Sequence, residues 1–217
     1  MLTSRHIRLT GLFFCAAIIW TGCSNESITS SSGKAHGAFD FVPAYLNDFS
    51  GAAGSEWSNR LTTTAPLGEK FLGEFGNDSV ALNLTGLGAH TQIQVHADLY
   101  IIRSWDGADP NWGTDSFTLR ADGTVIALTS FSNTSDHVQN FPNQLNTTTN
   151  PADFGATAVN TLGYTYWNGV PVDATFSATF TIPHTGSNFN LSFIVKGLQD
   201  MTDESWGIDN VQVFIGP

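Results

Sequence analysis

The chain has 217 residues, 8 lysines and arginines against 19 aspartates and glutamates, a formal net charge of −11 and two cysteines. So acidic a polypeptide is repelled by nucleic acid and by anionic membrane surfaces, and no basic run offsets this, so nucleic-acid partners are excluded. Both cysteines, Cys15 and Cys23, lie near the N-terminus, which leaves the remaining chain without a disulfide or a thiolate metal site.

The first element is an export signal. Arg5 and Arg8 form a positive n-region, residues 12–20 (LFFCAAIIW) are apolar, and Trp20-Thr21-Gly22-Cys23 places a small residue before a cysteine. This predicts a lipoprotein-type signal peptide over residues 1–22, with Trp20 where leucine is usual and with Cys23 as the lipidated first residue of the mature chain. A plain secretory signal and a retained anchor are the alternatives; the apolar run is shorter than the roughly 20 residues a spanning helix needs. The expected location is outside the cytoplasm, at a bacterial outer membrane or cell surface, with membrane contact through the lipid anchor only.

Residues 23–38 are serine-rich and nearly free of large apolar side chains, as in a flexible tether. The folded domain is expected over 39–217. Residues 80–85, 91–102, 175–182, 189–195 and 211–215 alternate apolar and polar side chains with the two-residue period of half-buried strands. Shorter candidates are 39–46, 70–75, 116–120 and 124–131. No stretch of the domain sustains a helical apolar stripe. Eight to ten strands separated by Gly, Asn and Asp predict an all-β fold, an antiparallel β-sandwich of jelly-roll type. Two long loops, 104–115 and 132–156, are expected to be either functional or disordered.

Three acidic clusters are candidate metal sites. Residues 104–115 (SWDGADPNWGTD) hold three carboxylates, among them Asp106 and Asp115, beside two indoles. Carboxylates at near-alternate positions with glycine turns suit calcium, which takes six to eight oxygens; an ordinary turn-rich loop is the alternative. Residues 200–210 add Glu204 and Asp209, and 47–51 add Asp48. If first and last strands are neighbours, Asp48 and Asp209 share one ion that ties the chain ends together.

Residues 206–213 (WGIDNVQV) resemble the closing strand of extracellular jelly rolls, including carbohydrate-binding modules and MAM-like domains. The span from Asn47 to Val213 is similar to a group of uncharacterised secreted bacterial sandwich proteins, through the stretches LNDFSGAAGSEWS, FLGEFGNDSVALNL, DLYIIRSWDG and DESWGIDNVQV. The resemblance implies a structural calcium on Asp209 with an acid after the first strand; Ser50 stands where glutamate is frequent, which leaves Asp48.

Trp57, Trp105, Trp112, Trp167 and Trp206 all lie beside Gly, Ser, Asp or Asn. Indoles in such loops either plug the sandwich rims or offer flat faces to sugar rings. Trp105, Trp112 and Trp206 are the expected ligand contacts. His36, His90, His96, His137 and His184 are scattered singly and read as surface residues. No G-x-S-x-G, H-E-x-x-H or P-loop occurs. The expectation is a non-catalytic, calcium-stabilised module that binds extracellular carbohydrate or a surface protein. A structural or adhesion protein without a small ligand is the alternative, and a polysaccharide hydrolase the third.

Overall fold

A computed structural model describes residues 40–109 and 111–217. The signal segment, Cys23 and the tether lie outside the described residues. Thirteen strands run in the order β1 (Val42–Asn47), β2 (Thr62–Thr64), β3 (Lys70–Phe75), β4 (Ser79–Thr85), β5 (Gln92–Arg103), β6 (Ser116–Ala121), β7 (Thr124–Ser130), β8 (Val138–Gln139), β9 (Asn150–Pro151), β10 (Ala158–Val159), β11 (Asp173–Pro183), β12 (Asn188–Lys196) and β13 (Glu204–Gly216). There is no helix among the described residues.

One sheet has the order β10-β11-β5-β13-β3-β2, with β1 also on β13; the second is β4-β12-β6-β7, and β8 and β9 pair with each other in a two-stranded ribbon. All pairings between strands of these two sheets are antiparallel. If β3 to β7 and β11 to β13 are counted one to eight, the sheets read 6-3-8-1 and 2-7-4-5. Successive strands cross between layers except at the β6–β7 hairpin, which gives two Greek keys and a jelly roll. β1 and β3 follow one another along the same side of β13.

Alternation fills the space between the layers. Ile93, Val95, Ala97, Leu99 and Ile101 of β5 meet Phe189, Leu191, Phe193 and Val195 of β12 in one core. Their neighbours Tyr100 and Ile102 face outward and join Ala65, Phe71, Leu162 and Tyr164 in a second, smaller cluster over the outside of the larger sheet.

The closing strand is longer than its sequence pattern. It begins at Glu204 rather than beside Val211, and a bulge between Asp209 and Gln212 sets two of its residues opposite one of β5. The bulge shifts the alternation by one. Trp206 and Ile208 face the core before it, and Val211 and Val213 after it. Asn210, inside the bulge, adopts φ 49°, a conformation asparagine tolerates better than most residues.

Candidate functional site

The loops that join β5 to β6, β7 to β11 and β12 to β13 gather at one end of the sandwich. Asp115 lies at the start of β6 with its side chain turned back into the β5–β6 loop. Its Oδ2 accepts the backbone N–H groups of Asp106 (2.5 Å) and Gly107 (2.9 Å). Gly107 has φ +70°, and an added Cβ would lie 2.4 Å from the Val138 carbonyl, so the loop closes only on glycine. From the other side, Glu204 Oε2 accepts the N–H of Gln199 at 2.6 Å. Gln199 Nε2 then spans to Asp106 Oδ2 (3.3 Å) and to the Trp112 carbonyl (3.1 Å).

Asp115 and Glu204 are both fully buried and act directly on each other. Their remaining oxygens, Asp115 Oδ1 and Glu204 Oε1, have no hydrogen-bond donor. Burial, reinforced by the charges of Asp115 and Asp106, pushes the Glu204 carboxyl up to about 8; burial likewise raises Asp115 to about 6. No lysine, arginine or histidine pairs with either among the described residues. Arg103, at the same end, is engaged by Glu74.

Outward of this pair, Asp106 is half-buried, and His137 places Nε2 3.4 Å from its Oδ1 and Nδ1 3.1 Å from Asp109 Oδ2. Asp203 accepts the Ser104 hydroxyl at 2.9 Å. Tyr166 reaches the same ground: burial, then the carboxylates of Asp136, Asp106 and Asp203, raise its hydroxyl pKa, while a hydrogen bond with Ser104 opposes them. Tyr166 and Trp167 sit on a hairpin closed by Tyr166 N–H to the Val170 carbonyl (2.8 Å). Trp167 is 95% exposed and Trp112 66%. The rim therefore carries two bare indoles and a phenol around surface acids.

Several expectations need correction. Trp105 and Trp206 are not ligand contacts: both are fully buried, their indole N–H groups bound to the carbonyls of Ser205 (2.8 Å) and Gly76 (2.7 Å). Trp112 is exposed as expected. Among the metal candidates, Asp106, Asp115 and Glu204 come together, although no group of three acidic, His or Cys side chains among the described residues is arranged to hold an ion directly. Asp48 and Asp209 do not meet. Asp48 is exposed and accepts the backbone N–H (3.1 Å) and hydroxyl (2.8 Å) of Ser50. Asp209 is buried on the outer face of the larger sheet, where its Oδ2 accepts the Tyr100 hydroxyl at 2.8 Å. β1 and β13 are indeed neighbours, but Asp48 is taken up by Ser50 in its own turn and Asp209 by Tyr100 and the backbone N–H of Asn210.

Three of the histidines are not surface residues either. His137 belongs to the acidic rim. His90 and His184 stack at 4.9 Å at the opposite end of the sandwich, His90 Nε2 lying 2.6 Å from His184 Nδ1. Residues 94 positions apart leave no local signal. Trp167 is not among the expected ligand contacts, although Asn168-Gly169 beside it is a hairpin-turn signal in the sequence.

Asp209 carries a pH prediction. Burial pushes its carboxyl up to about 7, with Glu69 and Asp98 adding to the rise and hydrogen bonds from Asn210 and Tyr100 opposing it. The unfolded chain releases this proton near pH 4. Between those values the folded state holds more protons, so stability falls as pH rises from about 4 to 7 and stays low above. Thermal unfolding in chelator should show melting several degrees lower at pH 8 than at pH 5, and Asp209→Asn should reduce that slope, the remainder coming from the raised carboxyls of Asp115 and Glu204. An equal slope in the variant would remove Asp209 as its source.

A cavity of about 770 Å³ opens between the sheets beside β7, lined by Phe117, Phe131, Phe141, Phe176, Phe180 and Phe193 among others. It holds no charged side chain and stands apart from the rim.

No family model matches the chain, and no curated protein matches it in sequence. Six solved chains match in structure. One is the dimeric latent PorU of Porphyromonas gingivalis, 14% identical, with 87% of this chain and 14% of that chain covered and a TM-score of 0.45. Another is the C-terminal domain of EclA, described as a sugar-binding protein, 16% identical over 64% of this chain and 69% of that chain, with a TM-score of 0.32. The chain thus spans a small part of PorU's length.

Proposed function

We propose that this protein is an exported, non-catalytic jelly-roll module that binds extracellular carbohydrate at the rim of its β5–β6, β10–β11 and β12–β13 loops, held at the cell surface through Cys23. The observation that carries the reading is the exposure of Trp112 and Trp167 on loops that reach the acidic end, Trp112 through Gln199 to Asp106 and Trp167 beside Tyr166, which feels Asp136, Asp106 and Asp203. Indole faces stack on the C–H faces of sugar rings, and carboxylates beside them accept hydroxyl protons. The acidic pair Asp115–Glu204 favours binding over hydrolysis, because both carboxyls are buried beyond the reach of a polysaccharide.

The test is a glycan array followed by titration of whichever sugar binds. Trp112→Ala and Trp167→Ala should each weaken binding about five- to tenfold, the loss of one aromatic contact at roughly 1 kcal/mol. A blank array for the wild type, or unchanged affinity in the double variant, overturns the reading. Self-association that disappears with both indoles would assign the rim to assembly instead. Cys23→Ser should release the protein from the membrane fraction; retention there would refute the anchor.

A further inference from the structure

The Asp115–Glu204 pair is costly to the fold as it stands. Each carboxyl has one oxygen fixed by backbone N–H groups, which favour its ionised form, and a second oxygen buried without a donor. If both were ionised, two buried carboxylates side by side with no cation would repel one another and bear their full dehydration cost, so without an ion the pair has to hold a proton between its carboxyls. A cation seated between the two free oxygens would replace that proton and leave both carboxyls ionised, the form their backbone N–H donors favour.

We propose that Asp115 and Glu204 bind one divalent cation of the calcium class, with Asp106 reaching it through water and main-chain carbonyls and water completing its shell. The donors on offer are all oxygen, with no thiolate, and the buried carboxyls themselves have no imidazole beside them, which suits a hard ion. Two direct carboxylates in an irregular loop setting suit calcium, which accepts variable shells, better than magnesium, which demands a regular octahedron. The ion would fasten the β5–β6 loop, which carries Asp106 and Asp115, to the β12–β13 loop, which carries Gln199 and leads into Glu204. It would thereby clamp the rim, rather than the chain ends as an ion on Asp48 and Asp209 would. The proposal does not depend on the carbohydrate reading, and no sugar enters its test.

Full-length protein stripped with chelator is titrated with Ca²⁺ in a calorimeter and by thermal unfolding, with Mg²⁺ in parallel. One ion per chain is expected, with melting raised by about 5–10 °C at 100-fold excess over the dissociation constant. Glu204→Gln should fold, since its amide can donate to Asp115 Oδ1 while its oxygen keeps the Gln199 N–H. Its ion-free melting temperature should equal or exceed that of the ion-free wild type, and its Ca²⁺ response should fall at least tenfold in affinity. Asp115→Asn should lose the response likewise, and Asp48→Asn should keep it.

No melting shift for the wild type in millimolar Ca²⁺ would mean that the pair merely shares a proton and would overturn the proposal. So would a full response in either Glu204→Gln or Asp115→Asn. A response to Mg²⁺ equal to that to Ca²⁺ would overturn the calcium assignment.

Discussion

Replacing Asp173 with alanine is expected to destabilise the protein by about 3–5 kcal/mol, as much as any single substitution outside the main core. The Asp173 carboxylate is buried, and four consecutive backbone N–H groups converge on it: Thr161 (2.8 Å) and Leu162 (3.0 Å) on Oδ1, Gly163 (3.0 Å) and Tyr164 (3.1 Å) on Oδ2. Charge-assisted bonds of this kind contribute roughly 1.5–3 kcal/mol each, and alanine would leave the donors without an acceptor. Relaxation of the segment towards water keeps the total below the sum. The same turn positions Leu162 and Tyr164 over Phe71, Tyr100 and Ile102, so that cluster loosens as well. The hairpin bearing Trp167 grows directly from it, so the variant should lose rim binding together with stability. Asp173→Asn should be intermediate, since its amide nitrogen faces two donors. Urea unfolding of both variants checks this; a loss below about 1 kcal/mol for alanine would show that the segment is held by something else.

The second large effect separates the indoles of the core from those of the rim. Trp206→Ala should cost about 4–5 kcal/mol, in the range for removing a buried aromatic ring. The ring is fully buried, lies 5.1 Å from Phe75, and its N–H satisfies the Gly76 carbonyl at 2.7 Å. Trp112→Ala removes a side chain that is two-thirds exposed, and surface changes of that kind stay within about 0.5 kcal/mol. Denaturant midpoints should therefore diverge while sugar titrations reverse the order: the Trp206 variant, where folded, binds normally and the Trp112 variant does not. Equal midpoints would contradict the burial pattern.

The sandwich was legible because its strands obey one rule, that a strand covered on one face alternates. β3 coincides with its predicted span, and β4, β5, β6, β7, β11 and β12 differ by a residue or two at either end. Where a second condition entered, the reading failed. Trp206 and Glu204 stand before the bulge at Asp209, where the alternation runs out of phase with Val211 and Val213. Trp105 looked like a loop residue because it follows the end of β5, yet the loop turns back and buries it. The short strands β2, β8, β9 and β10 have too few residues to express any period.

The candidate site divides in the same way. The acidic loop after β5 was visible as composition, and Asp106 and Asp115 were named from it. Its partner could not be chosen: Glu204 and Asp209 differ by five positions on one strand, but their side chains lie on opposite faces of the sheet.

By itself, the sequence determined the layer architecture and the acidity of one loop, because periodicity and charge are local properties that survive without neighbours. The tertiary structure decided which acids meet, which indoles stay bare and that His90 finds His184. Those outcomes depend on strand register, on the path of the loops and, for the face that Trp206 and Glu204 take, on the bulge in β13, which puts the residues before it out of phase with those after it.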